Sequence, residues 1–108
     1  MQKSKKNSPV NQLKLTILAQ EDLFEIWHFI AVENNNPENA DRFIDELDAQ
    51  LWNLAQNPGI GTLKEVYVKG VRQFVFKGYL IFYFSLNISG IEVLRIIHGA
   101  RDISGQFE

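Results

Sequence analysis

The side chains best suited to chemistry lie late in the chain, where basic and aromatic residues are interleaved with apolar ones. This group comprises Arg72, Lys77, Tyr79, Tyr83, Arg95, His98, Arg101 and Asp102. Cations beside aromatic rings can bind phosphate, RNA or an acidic peptide. Buried tyrosines and arginines are more often structural, because a tyrosine packs with one wet end and an arginine in an apolar strand pairs with an acid. Function is best supported for the residues that follow the last apolar run, since functional groups concentrate at strand ends.

Other common chemistries find little support in the sequence. The chain has 108 residues and no cysteine, and its two histidines, His28 and His98, are far apart. Neither histidine has a second potential ligand at the sequence spacing typical of a metal site. Gly59-Ile60-Gly61 follows a predicted helix instead of opening one, so it indicates a turn and not a phosphate-binding loop. We therefore expect no metal and no cofactor.

Charge is distributed unevenly along the chain, although the net charge is only −2. Residues 21–48 contain nine acids and a single arginine, whereas residues 1–20 contain four lysines and no acid. The acidic segment would repel nucleic acid, so we expect no sequence-specific nucleic-acid binding by the chain alone. No apolar run reaches the roughly 18 residues of a membrane span. These features favour a cytoplasmic protein with no membrane partner.

Apolar periodicity predicts one domain over residues 12–108, preceded by a mobile basic arm, residues 1–11. Alternation at Leu13, Leu15 and Ile17 predicts a short strand. Helical spacing then predicts a first helix with the buried face Leu23, Ile26, Trp27, Ile30 and Ala31, and a second with the buried face Ala40, Phe43, Ile44, Leu47, Leu51, Leu54 and Ala55. The turn between them, residues 34–37, provides Asn36 as a cap and Pro37 at the first helical position, which predicts an antiparallel hairpin.

Three strands are predicted after the helices, over residues 71–76, 79–86 and 91–98. Their short connections favour an antiparallel meander that the first strand can join, which gives an α+β domain. Because these strands are apolar on both faces, we expect the helical hairpin to cover one face, and a partner or the chain's tail to cover part of the other. The helical stripes should pack against Ile81, Val93 and Ile97.

Short motifs occur in a fixed order along most of the chain. They are Thr16-x-x-Ala19, Asp22-Leu23, Trp27-x-x-Ile30, Pro37-x-x-Ala40-x-x-Phe43-Ile44, Leu54-Ala55-x-x-Pro58-x-x-Gly61, Gly70-Val71-Arg72, Gly78-Tyr79-x-Ile81-x-Tyr83 and Arg95-Ile96-Ile97-His98-Gly99-Ala100-Arg101-Asp102. In this order and spacing they resemble the bacterial RelE/ParE toxins, and the ParE branch in particular. The resemblance implies the toxin of a type II toxin–antitoxin system, which causes growth arrest and is held inactive by a ParD-like antitoxin.

The two branches of this superfamily have different targets. RelE-type toxins cut messenger RNA on the ribosome, and ParE-type toxins poison DNA gyrase. RelE chemistry uses an arginine after the central Gly-Tyr and a tyrosine near the end, where this chain has Leu80 and Phe107. Neither side chain can transfer a proton or stabilise a phosphate oxygen. The resemblance therefore favours a gyrase inhibitor over a catalyst.

Site residues follow from the resemblance and from the late cluster. We assign target binding to Arg95, His98, Arg101 and Asp102, and antitoxin binding to Arg72, Tyr79 and Tyr83. Two alternatives stay open. One is a divergent ribosome-dependent ribonuclease that uses Arg72, His98 and Arg101. The other is an antitoxin-binding module without toxicity.

Overall fold

The computed structural model describes residues 11–87 and 89–107. The predicted arm therefore lies outside the described residues, apart from Asn11. The elements are β1 (Gln12–Leu15), α1 (Ile17–His28), a π-helical turn that extends α1 (Phe29–Glu33), α2 (Pro37–Gln56), β2 (Thr62–Leu63), β3 (Arg72–Phe76), β4 (Tyr79–Ser85) and β5 (Gly90–His98). Short 3-10 turns follow α2 (Pro58–Ile60) and β5 (Ser104–Phe107).

Capping residues set the beginnings of both helices. The Thr16 hydroxyl accepts the Ala19 N–H at 3.1 Å and donates to the Leu94 carbonyl at 2.7 Å. This places the start of α1 at Ile17, so the prediction that the first strand extends to Ile17 is wrong. Asn36 Oδ1 accepts the Asn39 N–H at 3.2 Å, which confirms the predicted cap of α2.

The sheet has the strand order β1-β5-β4-β3-β2. β1 pairs with β5 in parallel, and the pairs β5–β4, β4–β3 and β3–β2 are antiparallel. The predicted meander is confirmed, with strand ends that differ from the expected ones by one residue or less. β2 was not predicted, because two residues are too few to show a period.

Apolar layers lie on both faces of the sheet. α1 and α2 cover one face and pack through Ile26, Leu47 and Leu51 onto the sheet. On the other face, Val71, Phe82 and Ile97 form a smaller buried cluster beneath residues of the 64–71 loop and the tail, including Tyr67, Val68, Ile103 and Phe107. The chain's own loop and tail therefore cover part of the face for which a partner or the tail was expected.

The prediction that Ile97 faces the helices is wrong, because β5 contains a β-bulge. Phe82 pairs with Arg95 and Tyr83 pairs with Val93, so Leu94 is an extra residue in β5. One extra residue moves every later side chain of the strand to the opposite face. Ile97 therefore packs under the tail, while His98 is paired with Tyr79 on the helix side.

Tyr83 joins the end of α2 to the middle of the sheet, and its hydroxyl should contribute strongly to stability. The buried hydroxyl donates to the Pro58 carbonyl at 2.7 Å and accepts the Gly61 N–H at 2.8 Å. Gly61 leaves room for it, because a Cβ there would lie 2.5 Å from the hydroxyl oxygen. We expect Tyr83→Phe to lower the free energy of unfolding by about 1–3 kcal/mol, since two polar groups lose their partner. Urea unfolding measures this, and a loss below about 0.5 kcal/mol would contradict the assignment.

Because of the same hydroxyl, the free energy of unfolding should depend on pH in the alkaline range. Burial raises the pKa of Tyr83 above its usual value near 10, although the Gly61 N–H and Arg72 act in the opposite direction. A folded-state pKa above the unfolded one provides stability that is complete below about pH 10 and is lost as pH rises through the folded value. In Tyr83→Phe, the free energy of unfolding should decrease less than in the wild type as pH rises above 10. Urea unfolding curves at several pH values measure this.

Candidate binding groove

An open groove of about 640 Å³ lies between α1 and the ends of β4 and β5. We call it the α1 groove. Its helix wall is formed by α1 and the π turn, and its sheet wall by the ends of the two strands and the turn that follows β5. The π turn adds Phe29 and Glu33 to the helix wall, in keeping with the frequent occurrence of such turns at functional sites.

The sheet wall presents hydrogen-bond donors and a positive charge. The rings of Tyr79 and His98 meet edge to face, with centroids 5.1 Å apart. His98 Nδ1 accepts the Ala100 N–H at 3.1 Å, so in the neutral ring the proton lies on Nε2. Burial raises the pKa of Tyr79 above its ordinary value. The exposed Arg101 completes this wall, and its backbone N–H donates to the His98 carbonyl at 3.0 Å.

The helix wall combines exposed aromatic rings with carboxylates. Phe24 is 64% exposed and its ring lies 6.0 Å from that of His28. Glu25 and Glu33 lie on the same wall. The two walls therefore carry opposite charges, with apolar surface between them.

A largely buried ion pair lies beside the groove, and its carboxylate, Asp22, is one of the lining residues. Arg95 Nε and Nη2 donate to the two carboxylate oxygens of Asp22 at 2.9 and 3.0 Å. Asp22 also accepts the backbone N–H of Ile96 at 2.8 Å. The hydrogen bond to Asp22 is the main cause of the raised pKa of Arg95. Arg95 Nη1 also donates to Gln106 of the tail at 3.2 Å, so one guanidinium joins α1, β5 and the tail.

The predicted target-binding residues are only partly brought together. His98 and Arg101 line the α1 groove. Arg95 does not line the groove, and its side chain is only 14% exposed and bonded to Asp22, which indicates a structural role. Asp102 is not among the groove residues, and its carboxylate accepts the Ser104 hydroxyl at 3.0 Å at the start of the last 3-10 turn.

The predicted antitoxin-binding residues are divided between the two ends of β4. Tyr79 lies in the α1 groove, whereas Arg72 pairs with Tyr83 at the other end. Arg72 Nη1 donates to the Gly61 carbonyl at 2.6 Å. Tyr83 is fully buried, so its side chain is not accessible to an antitoxin in this structure.

Residues 13–103 match the family model described as the ParE toxin of the type II toxin-antitoxin system parDE. The chain belongs to the ParE toxin family. It is also similar to a solved structure titled "Chromosomal ParDE TA system from P. aeruginosa", with 26% sequence identity and a TM-score of 0.64. That similarity covers 80% of this chain and 92% of the other. No curated protein matches the sequence. These findings confirm the ParE resemblance and the α+β fold.

In this ParE-family toxin, two residues of the ribonuclease alternative, His98 and Arg101, share the α1 groove, and the third, Arg72, lies apart from them. His98 is paired with Tyr79, and Arg72 with Tyr83, four positions further along β4. Four residues of a strand correspond to about 13 Å. Phe107, at the position of the RelE tyrosine, packs its ring against Tyr67 and Phe82, with centroid distances of 5.7 and 4.9 Å.

The helix wall of the toxin was missed at the sequence level. Phe24 and Phe29 do not belong to the predicted buried stripe of the first helix. Large apolar residues outside the stripe were the available signal, because a helix that faces water on one side normally carries polar residues there.

Two further properties concern ligands and membranes. Within residues 11–87 and 89–107, no group of three or more His, Asp or Glu side chains could hold a metal ion. Across the same residues, neither helix has the length and apolar character needed to cross a membrane.

Proposed function

We propose that this ParE-family toxin arrests growth by inhibiting DNA gyrase, and that a ParD-like antitoxin neutralises it. The α1 groove is the observation that carries the proposal. It gathers His98, Arg101 and Tyr79 on one accessible wall, while Arg72 lies at the far end of the sheet. This arrangement suits binding to a protein surface, where arginine and tyrosine are favoured anchors.

Inhibition by binding requires no catalytic group of the toxin. RNA cleavage through the 2′-hydroxyl needs a base and a phosphate-stabilising cation placed within hydrogen-bonding distance of one substrate. Here Leu80 pairs with Ile97 on the tail side, and Phe107 is packed among aromatic rings. The groove contains side chains suited to binding a protein, and membership of the ParE family suggests gyrase as the target to test.

The experiment compares the two targets directly. The chain is induced alone in bacteria, and growth, DNA breaks and messenger RNA cleavage are followed over time. Purified toxin is then added to a gyrase supercoiling assay and to translating ribosomes. We expect growth arrest, inhibited supercoiling and intact messenger RNA. Cleavage at codon positions with gyrase unaffected would establish the ribonuclease alternative, and normal growth would indicate a non-toxic antitoxin-binding module.

Leu80→Arg tests whether the RelE-type cation alone restores RNA cleavage. Leu80 is only partly buried at the edge of the tail-side cluster, so the longer side chain can extend into water. We expect no gain of messenger RNA cleavage, because Phe107 still lacks a hydroxyl and Arg72 stays distant. The half-inhibitory concentration for gyrase should change less than about threefold. Messenger RNA cleavage by this variant would contradict the argument that more than one RelE-type catalytic group is missing from the chain.

A further inference from the structure

The tail, residues 99–107, leaves the end of β5 and folds back over the sheet face opposite the helices. Its first residue is fixed, because the Gly99 N–H donates to the Gly78 carbonyl at 2.9 Å. Its far end is fixed as well, because the ring of Phe107 packs on Phe82 of the sheet. Arg101 lies between these two points, so the position of its backbone depends on both.

An aromatic contact holds the far end of the tail. The ring of Phe107 is stacked on that of Tyr67 in the 64–71 loop, with centroids 5.7 Å apart and an angle of 23° between the planes. It meets the ring of Phe82 at 4.9 Å and 76°, and Phe82 is fully buried. Aromatic pairs of this kind contribute more than the area they bury. Phe107 is therefore held on two sides.

A polar contact holds the tail one residue earlier. Gln106 Oε1 accepts from Arg95 Nη1 at 3.2 Å, and Gln106 Nε2 donates to the Asp102 carbonyl at 3.3 Å. The guanidinium of Arg95 is itself fixed by two hydrogen bonds to Asp22. Gln106 therefore connects β5 to the backbone of Asp102, the residue that follows Arg101.

We propose that Gln106 and Phe107 are positioning residues for Arg101, the cation proposed to bind the target. They hold the tail so that Arg101 stays at the rim of the α1 groove. The Arg101 side chain is exposed and forms no ion pair with any residue that the structure describes, so its placement depends on its backbone. A group that is ordered before binding loses less conformational freedom on binding, which increases affinity. The inference rests on the proposed function, because the role of Arg101 does.

A tail that only covered the sheet would show different contacts. Burial of Val71, Phe82 and Ile97 accounts for the apolar contacts of Ile103 and Phe107. It does not account for Gln106, whose amide adds no apolar cover. Instead, the two hydrogen bonds of this amide constrain the backbone directly beside Arg101.

The first experiment measures inhibition of gyrase supercoiling by purified variants. We expect Phe107→Ala and Gln106→Leu each to raise the half-inhibitory concentration about tenfold, since the backbone around Arg101 regains its freedom. Phe107→Tyr keeps the ring and Gln106→Glu keeps an acceptor for Arg95, so both should stay within about threefold of the wild type. The matched control is Val68→Ala, which removes apolar cover from the same cluster on the loop side and should inhibit like the wild type.

The second experiment measures the mobility of the tail without gyrase, by hydrogen exchange of backbone amides followed by NMR. The Arg101 N–H is bonded to the His98 carbonyl and the Gln106 N–H to the Ile103 carbonyl. In Phe107→Ala and Gln106→Leu, both amides should exchange about tenfold faster than in the wild type, because the tail opens locally. The Ile96 amide, which is bonded to Asp22, should keep its rate. In Val68→Ala and Phe107→Tyr, the Arg101 amide should exchange as in the wild type.

The possible results separate the two proposals. Faster exchange at Arg101 with unchanged inhibition overturns the positioning role and leaves the proposed function intact. Unchanged exchange in Gln106→Leu, or a loss of inhibition in Val68→Ala as large as in Phe107→Ala, also overturns it. If Phe107→Ala does not fold, Gln106→Leu decides the question. A wild-type toxin that leaves gyrase unaffected overturns the proposed function, and the positioning role with it.

Discussion

Asp22→Ala is expected to lower the free energy of unfolding by about 3–5 kcal/mol, because it leaves a largely buried arginine without its counterion. The carboxylate accepts two hydrogen bonds from Arg95 and one from the Ile96 backbone. The Asp22 and Arg95 side chains are only 7% and 14% exposed, so water replaces these bonds poorly. A domain of this size is stable by about 5–15 kcal/mol, and the loss is a large share of that. Urea unfolding of purified toxin measures it.

Two comparisons isolate the ion pair from general effects on α1. Glu21→Ala, at the neighbouring exposed position, should change stability by less than about 0.5 kcal/mol. The double variant Asp22→Leu/Arg95→Met should recover much of the loss, since an apolar pair can replace a buried ion pair. A loss below about 1 kcal/mol for Asp22→Ala would show that the pair does not hold α1 on the sheet.

The sequence predicted the local elements well, because their determinants are local. The apolar period of the second helix, its Asn36 cap and Pro37 identify its start without reference to any other part of the chain. The meander likewise follows from apolar runs separated by short turns. The structural role considered for Arg95, as an internal cation paired with an acid, could be stated in general terms only. Its partner, Asp22, lies 73 positions away and was indistinguishable from the other acids of the first helix.

The faces of the strands were harder to predict, because they depend on pairing. A strict period of two places Val93, Arg95 and Ile97 on one side of β5. The bulge at Leu94 moves Ile97 and Arg95 off the face that Val93 occupies. The sequence contains no glycine at this point that would have indicated the irregularity.

The sequence predicted one wall of the candidate site and missed the other. The strand-end residues were found because polar groups after an apolar run are conspicuous. The helix wall was not, since Phe24 belongs to a helix whose buried stripe was already complete without it. Only the packed structure shows that this second apolar side is left without a cover from the described residues.

Arg101→Ala is expected to raise the half-inhibitory concentration for gyrase supercoiling by roughly thirtyfold or more and to abolish growth arrest on induction. Exposed arginines at the centre of an interface are common binding anchors, and truncation of one costs about 2 kcal/mol or more. The fold should be unaffected. The hydrogen bond from the Arg101 backbone N–H to the His98 carbonyl is retained, and among residues 11–87 and 89–107 its side chain makes no ion pair.

Conservative and distant variants define what Arg101 contributes. Arg101→Lys keeps the charge and loses the planar fork of donors, so it should be intermediate if the guanidinium binds its target through two parallel hydrogen bonds. Lys69→Ala, an exposed cation outside the groove, should inhibit gyrase like the wild type. Supercoiling assays with each purified variant, beside urea unfolding, separate lost binding from lost folding. If Arg101→Ala inhibits gyrase as strongly as the wild type, the sheet wall of the α1 groove is not the surface that binds the target.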